Sequence, residues 1–283
     1  MTRYLVYDVF TDTAFTGNPL AVVPDAQHLP EAQLQQIARE FNFSEAAFVY
    51  PPDDPAHTAR LRILTPNMEI PFAGHPTIGT AIALRDLGHA GPMVLELGVG
   101  PIPCRFDGDL AAFTTTTPLT RVGSPDPALV ADCLGLSKDR ITTATHAPVQ
   151  AGVGLPFVIV ELLDHAALAA CTPVTETFKE GAKHFPSGLD FAIFAYVRRE
   201  NAVSARMFAP LDNIPEDPAT GSAAAALTAL LCHLSRKDQT LTIIQGEAMG
   251  RRSVIHASAT RGTKTAITIA GQAVRVMDGH ITL

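Results

Sequence analysis

Ile70-Pro71-Phe72-Ala73-Gly74-His75-Pro76-Thr77 is echoed downstream by Ile214-Pro215-Glu216-Asp217-Pro218-Ala219-Thr220-Gly221-Ser222. The pairs Arg62/Arg206, Pro66/Pro210, Ile70/Ile214 and Pro71/Pro215 share one offset of 144 residues (206 − 62, 215 − 71). A three-residue insertion then sets Gly74 against Gly221. Two further matches keep the same order: Gly17–Val23 with Gly154–Val160, and Phe43–Tyr50 with Leu189–Tyr196. Three matches in one order point to a duplicated half-domain. Each copy carries a glycine that opens a helix. Helix N-termini present backbone N–H groups without intrahelical partners and the positive end of the helix dipole. Two of them facing one cleft would make a receptor for a small anion such as a carboxylate.

Composition limits the alternatives. The 283 residues suggest about two domains. Hydrophobic residues make up 47% and charged residues 17%, which is ample for buried cores and too apolar for disorder. With a formal net charge of −7 and no basic run longer than Arg198-Arg199 or Arg251-Arg252, neither nucleic acid nor an anionic membrane is the expected partner. The longest apolar run, near Ala223–Leu231, falls far short of the roughly 20 residues that cross a bilayer. At the N-terminus Asp8 comes too early for a signal peptide, so Met1–Asp8 reads as a strand. Cys104, Cys133, Cys171 and Cys232 form no Cys-x-x-Cys pair and have no histidine at zinc-finger spacing. Cys232-His233 sits in an apolar helix and reads as a buried thiol. Free thiols fit a cytoplasmic location.

Apolar β-type runs dominate the chain. Strands are expected at Tyr4–Phe10, Leu20–Val23, Ala46–Val49, Leu61–Leu64 and Val94–Leu97. They recur at Phe157–Leu162, Phe191–Val197, Ser204–Phe208, Leu241–Gln245, Ile267–Ala270 and Ala273–Val276. Helices are fewer: Pro30–Phe41, Pro76–Leu87 stopping at Gly88, Pro127–Leu134 stopping at Gly135, and Ala223–Leu234. Pro76–Leu87 has only Arg85 and Asp86 as charges and Ala223–Leu234 has none, so both should be buried. The expected class is α+β: two pseudo-symmetric domains, each a strand layer around a central helix. The boundary falls in the Thr/Pro/Gly/Ser-rich stretch Thr114–Pro127. This gives an N-terminal half at 1–118 and a C-terminal half at 119–283, whose last strand can return to the first.

Glu45 is the most conspicuous acid, in Asn42-Phe43-Ser44-Glu45-Ala46-Ala47-Phe48-Val49 with no other charge nearby. Apolar surroundings tend to raise a carboxyl pKa and suit it to proton transfer. Its counterpart in the second half is Phe191, so the acid is not duplicated. A strand-edge or capping acid is the equally ordinary alternative. His75, wedged in Ala-Gly-His-Pro-Thr at a helix start, is placed to donate a hydrogen bond or proton. Asp217 precedes the other helix start and reads either as a site residue or as a turn aspartate before proline. Thr220 and Ser222 read equally well as helix caps. No Gly-x-Gly-x-x-Gly follows a strand, and no Walker loop, His-Glu-x-x-His or Gly-x-Ser-x-Gly appears. The ten histidines lack metal-site spacing, so no metal is expected.

Asp8-Val9-Phe10-Thr11, Phe15-Thr16-Gly17-Asn18-Pro19, Phe43–Phe48, Arg62–Gly79 and Glu216–Ala223, in this order, resemble the phenazine-biosynthesis PhzF-like family. That family lies within the diaminopimelate-epimerase-like superfamily. The resemblance implies two pseudo-symmetric domains, each a β-barrel-like sheet around a central helix, with the active site between them. It also implies a homodimer and no cofactor. By similarity Glu45 is the general acid/base, and His75 and Asp217 contact the substrate's polar groups. Gly74, Gly221 and Ser222 supply N–H groups for the substrate carboxylate, with Ser44 and Thr220 beside them. The superfamily's racemases use one cysteine per half as opposed bases. Here Ala73 and Thr220 stand at those positions. The implied reaction is therefore a proton shift within a small, possibly cyclic carboxylic acid by one carboxylate, of the dihydro-hydroxyanthranilate isomerase type. An amino-acid racemase or epimerase, or a ligand-binding homologue without activity, are the alternatives.

Overall fold

The computed structural model describes residues 1–186 and 191–282. Two compact units divide the chain: Met1–Thr115 with Thr268–Leu283, and Thr116–Ile267. Both are rich in strands and poor in helices, a mixed α/β architecture.

In the first unit the elements are β1 (Thr2–Val9), β2 (Asn18–Val23), α1 (Glu31–Phe41), β3 (Glu45–Tyr50), β4 (Ala59–Leu64) and β5 (Glu69–Ile70). Next come α2 (Gly74–Asp86), β6 (Met93–Leu97), β7 (Gly100–Asp107) and β8 (Leu110–Thr115), with the last strand, β18 (Ala273–Ile281), returning to pair with β1. The pairing order is β18-β1-β2-β3-β4-β6-β7-β8. Two of these pairings are parallel, β2–β3 across α1 and β4–β6 across α2, and the rest are antiparallel.

The second unit contains β9 (Thr120–Gly123), α3 (Pro127–Cys133), β10 (Val149–Val153), β11 (Leu155–Glu161), α4 (His165–Ala170) and α5 (Thr175–His184). It continues with β12 (Ile193–Arg199), β13 (Ala202–Ala209), β14 (Ile214–Asp217), α6 (Gly221–Ser235), β15 (Gln239–Gln245) and β16 (Ser253–Thr260). β17 (Ala266–Gly271) carries the chain back. The order β9-β10-β11-β12-β13-β15-β16 again holds two parallel pairings, β11–β12 and β13–β15, the latter across α6. The succession of pairings, the short strand ahead of a helix, and the crossover helix are the same in both units. Of the matched repeat segments, Leu189 and Asp190 lie outside the described residues.

The crossover helices organise the two cores. Gly74 through Leu84 of α2 are all buried, as are Gly221 and Ala223 through Cys232 of α6. A helix without a polar face must be covered on all sides. α2 touches β18, β1, β2, β3, β6 and β8. Eight flat strands spaced about 4.8 Å apart would span roughly 34 Å, yet a helix with its side chains is only about 10–12 Å wide. The sheet must therefore curl around α2. Each buried Ile or Leu along it (Ile78, Ile82, Leu84) contributes about 1.5–3 kcal/mol. No helix among the described residues is long and apolar enough to cross a membrane.

Several elements differ from their sequence-based bounds. Both crossover helices begin two residues early, at Gly74 and Gly221. Pro76 is thus the third helical residue, where its missing N–H removes no intrahelical bond. β5, β7, β8, β9, β10, β14, β16, α4 and α5 were not anticipated. Pro101 and Pro103 interrupt the β7 pattern, and α5 buries only Phe178 and Gly181, too narrow a stripe to read as a helix.

Close approach of α2 to the sheet depends on Gly79. A Cβ there would run into the buried side chains of Leu20 and Val9. Gly79→Val should destabilise the protein by about 1–3 kcal/mol, as overpacking does. Urea unfolding of the variant checks this, and an unchanged midpoint would contradict the packing.

Candidate active site

The two helix starts are held by the same device. Arg62 of β4 grips Glu69 of β5 through Nε to Oε1 at 2.8 Å and Nη2 to Oε2 at 2.5 Å. It also reaches Glu31 at 2.6 and 2.7 Å. In the second unit Arg206 of β13 takes Glu216 of β14 through two bonds of 2.8 Å. Arg206 Nη1 further donates to the carbonyls of Leu168 and Cys171, at 3.0 and 2.9 Å, where α4 ends. Planar forks of this kind fix orientation as well as distance. Each one pins the short strand that leads into α2 or α6.

Glu45 is the first residue of β3 and lies across from Leu20 in the parallel β2–β3 register. Ser44 precedes it at the entry to the strand. The Glu45 carboxyl is 17% exposed while Ala46, Ala47 and Phe48 behind it are buried. His75, second in α2, is buried, and its Nδ1 lies 3.2 Å from Glu45 Oε2. Burial pulls the imidazole pKa down to about 3, against a smaller opposing influence from the Pro19 backbone. The contact therefore joins a neutral imidazole to a carboxyl group and is no ion pair near neutral pH. N-cap Ala73 offers no side-chain oxygen and Pro76 has no N–H. The first turn of α2 thus presents the N–H groups of Gly74 and His75.

In the second unit Asp217 closes β14 and is buried. Thr220, at the N-cap of α6, turns its hydroxyl away from the helix and donates it to Asp217 Oδ2 at 2.5 Å. The N–H groups of Gly221 and Ser222 are consequently not capped by Thr220. A fully buried glutamine sets this turn. Gln245, the last residue of β15, accepts from Thr220 N–H at 3.1 Å. Its amide nitrogen donates to the Asp217 carbonyl at 2.8 Å and to Thr220 Oγ1 at 3.0 Å. The relay from Gln245 through Thr220 aims the Asp217 carboxylate. The next residue must be glycine, since Gly246 has φ +77° and a Cβ would collide with the Pro218 and Arg251 carbonyls. Gln245 was missed from sequence; its one signal was a glutamine-glycine pair ending an alternating apolar strand.

Glu45 and His75 are thus brought together in one unit, and Asp217, Thr220, Gly221 and Ser222 share one turn of the other. Among the described residues no group of three His, Cys, Asp or Glu side chains could hold a metal ion.

The sequence profile of the phenazine biosynthesis-like proteins (PhzC-PhzF) matches residues 7–279. The chain belongs to this family. Within it, the chain is 40% identical to an uncharacterised isomerase of Mesorhizobium japonicum over 99% of this chain and 98% of that one. It is 34% identical to trans-2,3-dihydro-3-hydroxyanthranilate isomerase of Pseudomonas aeruginosa, over the full length of both. The solved phenazine biosynthesis protein of the PhzF family from Bacillus anthracis superposes with a TM-score of 0.89 at 24% identity, covering 100% of this chain and 99% of that one. Isomerisation is therefore the activity class of this PhzF-type chain, and the reading as a ligand-binding protein without activity gives way.

Ala73 and Thr220 occupy equivalent N-cap positions of α2 and α6, and neither can act as a thiolate base. The cysteines stand elsewhere and are all buried. Burial pushes the Cys104 and Cys133 thiols up to about 12 and Cys171 to about 11, far from reactive values. Phe191, opposite number of Glu45 in the repeat, is fully buried against Phe178 and Phe185.

A histidine that is neutral when folded but protonates near pH 6.5 when unfolded draws a proton on unfolding in acid. Its penalty is absent above pH 6.5 and grows by about 1.4 kcal/mol per pH unit below it, levelling off near the folded pKa. His75→Gln should lack this component, so the stability gap between the two proteins should shift with that slope in urea titrations from pH 7 to 5. Parallel curves would show that His75 is not held neutral. Separately, Gln245→Leu strands the Thr220 N–H and the Asp217 carbonyl, costing about 1–3 kcal/mol for each such group. It should also lower kcat about a hundredfold by misplacing Asp217. A loss of activity no larger than the loss of folded protein would reduce Gln245 to a structural residue.

Proposed function

We propose that the protein is a cofactor-independent isomerase that moves a proton within a small carboxylic acid, with Glu45 as its single acid/base. The observation that carries this reading is one partly exposed carboxyl, not repeated in the second unit, set against a neutral buried histidine at an uncapped helix start. The substrate class follows from the Pseudomonas aeruginosa relative, whose name specifies trans-2,3-dihydro-3-hydroxyanthranilate. In this reading the N–H groups of Gly74, Gly221 and Ser222 hold the substrate carboxylate. His75 and Ser44 orient polar groups beside Glu45, and Asp217 with Thr220 does so from the second unit. The two units are pseudo-symmetric halves in the manner of diaminopimelate epimerase and serve one substrate. The protein works as a cytoplasmic homodimer.

The reaction balances within the substrate. Ionised Glu45 takes a proton from one carbon, and the electron pair of that C–H bond shifts the neighbouring double bond. The carboxylic acid so formed returns the proton to another carbon on the same face and Glu45 is ionised again. The carboxylate held by N–H groups accepts charge that builds up in the transition state. Gly74 and Gly221 are both helical, so their backbone conformation does not require glycine. Space for a ligand does.

Glu45→Gln keeps the shape of the side chain and removes the proton carrier. It should lower turnover of trans-2,3-dihydro-3-hydroxyanthranilate by about a hundred- to ten-thousand-fold while keeping its affinity, because general acid–base catalysis contributes that much. NMR in deuterated water should show a displaced double bond in the wild-type product. Inversion at a single stereocentre would instead establish an epimerase, and undiminished turnover by Glu45→Gln would remove Glu45 from the mechanism.

A further inference from the structure

A cleft of about 660 Å³ in the second unit, at the C-terminal end of α6, has no role in the reaction above. Its lining brings together Arg236, Arg261, Lys264 and His233, with the hydroxyls of Thr116 and Thr263, and includes no acidic side chain. This is unusual in a chain of net charge −7. Elsewhere Arg3, Arg62, Arg85, Arg140, Arg206 and Arg275 each meet an acid, while Arg39, Arg105 and Arg198 donate to neutral oxygens. Arg236, Arg261 and Lys264 form no ion pair among the described residues. The nearby acid, Asp238, uses its carboxylate to accept the Arg261 backbone N–H at 2.9 Å.

The helix end explains part of this charge. Cations favour helix C-termini, and Arg261 Nη1 caps the Arg236 carbonyl at 2.6 Å. A helix end carries only about half an elementary charge, so three cations exceed what it needs. Arg236 also sits at φ +55°, a left-handed position where glycine would be favoured. Arg261 spends one of its five guanidinium N–H donors on the Arg236 carbonyl, leaving the rest of the fork to turn toward a ligand. Like charges gathered in one concavity repel one another until an anion enters. Forked guanidinium groups and an ammonium suit phosphate oxygens, and threonine hydroxyls can add neutral donors.

We propose that this cleft is a binding site for a small, multiply charged oxyanion, the diphosphate or phosphate group of a metabolite. Its walls include Thr116, Pro118 and Leu119, and Thr263, Thr265 and Ile267, on the two stretches by which the chain passes from one unit to the other.

The test is calorimetric titration of the full-length protein with inorganic pyrophosphate and with phosphate, in chloride buffer. Pyrophosphate should bind more tightly than phosphate. Arg236→Ala and Lys264→Ala, both at exposed side chains, should each weaken binding by about fivefold, the upper range for an exposed ion pair, and additively together. Isomerase turnover of the variants without added anion should match the wild type. Bound pyrophosphate should also slow tryptic cleavage after Arg261 and Lys264. No binding heat, or affinity unchanged in the double variant because the anion sits at the helix starts, would overturn the proposal.

Discussion

Everything in this protein depends on burying two helices that have no polar face. α2 is buried from Gly74 to Leu84 and α6 from Ala223 to Cys232, on every face of each helix, and water must be kept from both stretches. A flat sheet covers one side of a helix only. Strands added on both sides of a parallel crossover must therefore curl around it, and the parallel pairings β4–β6 and β13–β15 are the joints that put the helix inside. The same burial fixes where each helix starts. Its first turn begins at the end of a short strand, and an arginine–glutamate fork holds that strand in place. A helix start fixed in this way is a rigid set of N–H donors, and rigidity is what makes a donor useful to a transition state.

The polar groups near those starts follow from the cost of burying them. A buried polar atom must be hydrogen-bonded or must give up its charge. Asp217 and Thr220 take the first course, locked to each other and to Gln245. His75 takes the second and stays neutral. A neutral imidazole beside Glu45 can give or accept a hydrogen bond without adding positive charge. A charged one would place a full positive charge beside the carboxyl.

Much of this was legible in the sequence because it is written twice. Proline and glycine mark the entry to each crossover helix, and the arginine four residues ahead of the first proline recurs at the same offset, Arg62 and Arg206. The asymmetry was legible too, since Glu45 has Phe191 as its counterpart. What escaped was set by contacts distant in sequence. Gln245 gains its meaning only when β15 is laid beside the turn at Pro218. β7 hides behind two prolines that a paired strand tolerates at non-bonding positions. α5 hides because one phenylalanine, Phe178, does most of its packing. His75 was visible as a candidate, but its protonation state is a property of burial and no motif reveals it.

The central claim is that one carboxyl carries the proton from start to finish on one face of the substrate. The most direct measurement uses trans-2,3-dihydro-3-hydroxyanthranilate carrying deuterium at the carbon that loses its proton, converted in ordinary water and analysed by NMR. Carriage by Glu45 predicts product in which deuterium has moved to the new position on the same face, in part of the molecules at least. Product that carries solvent hydrogen alone, delivered to the opposite face, would require a second base and contradict the account.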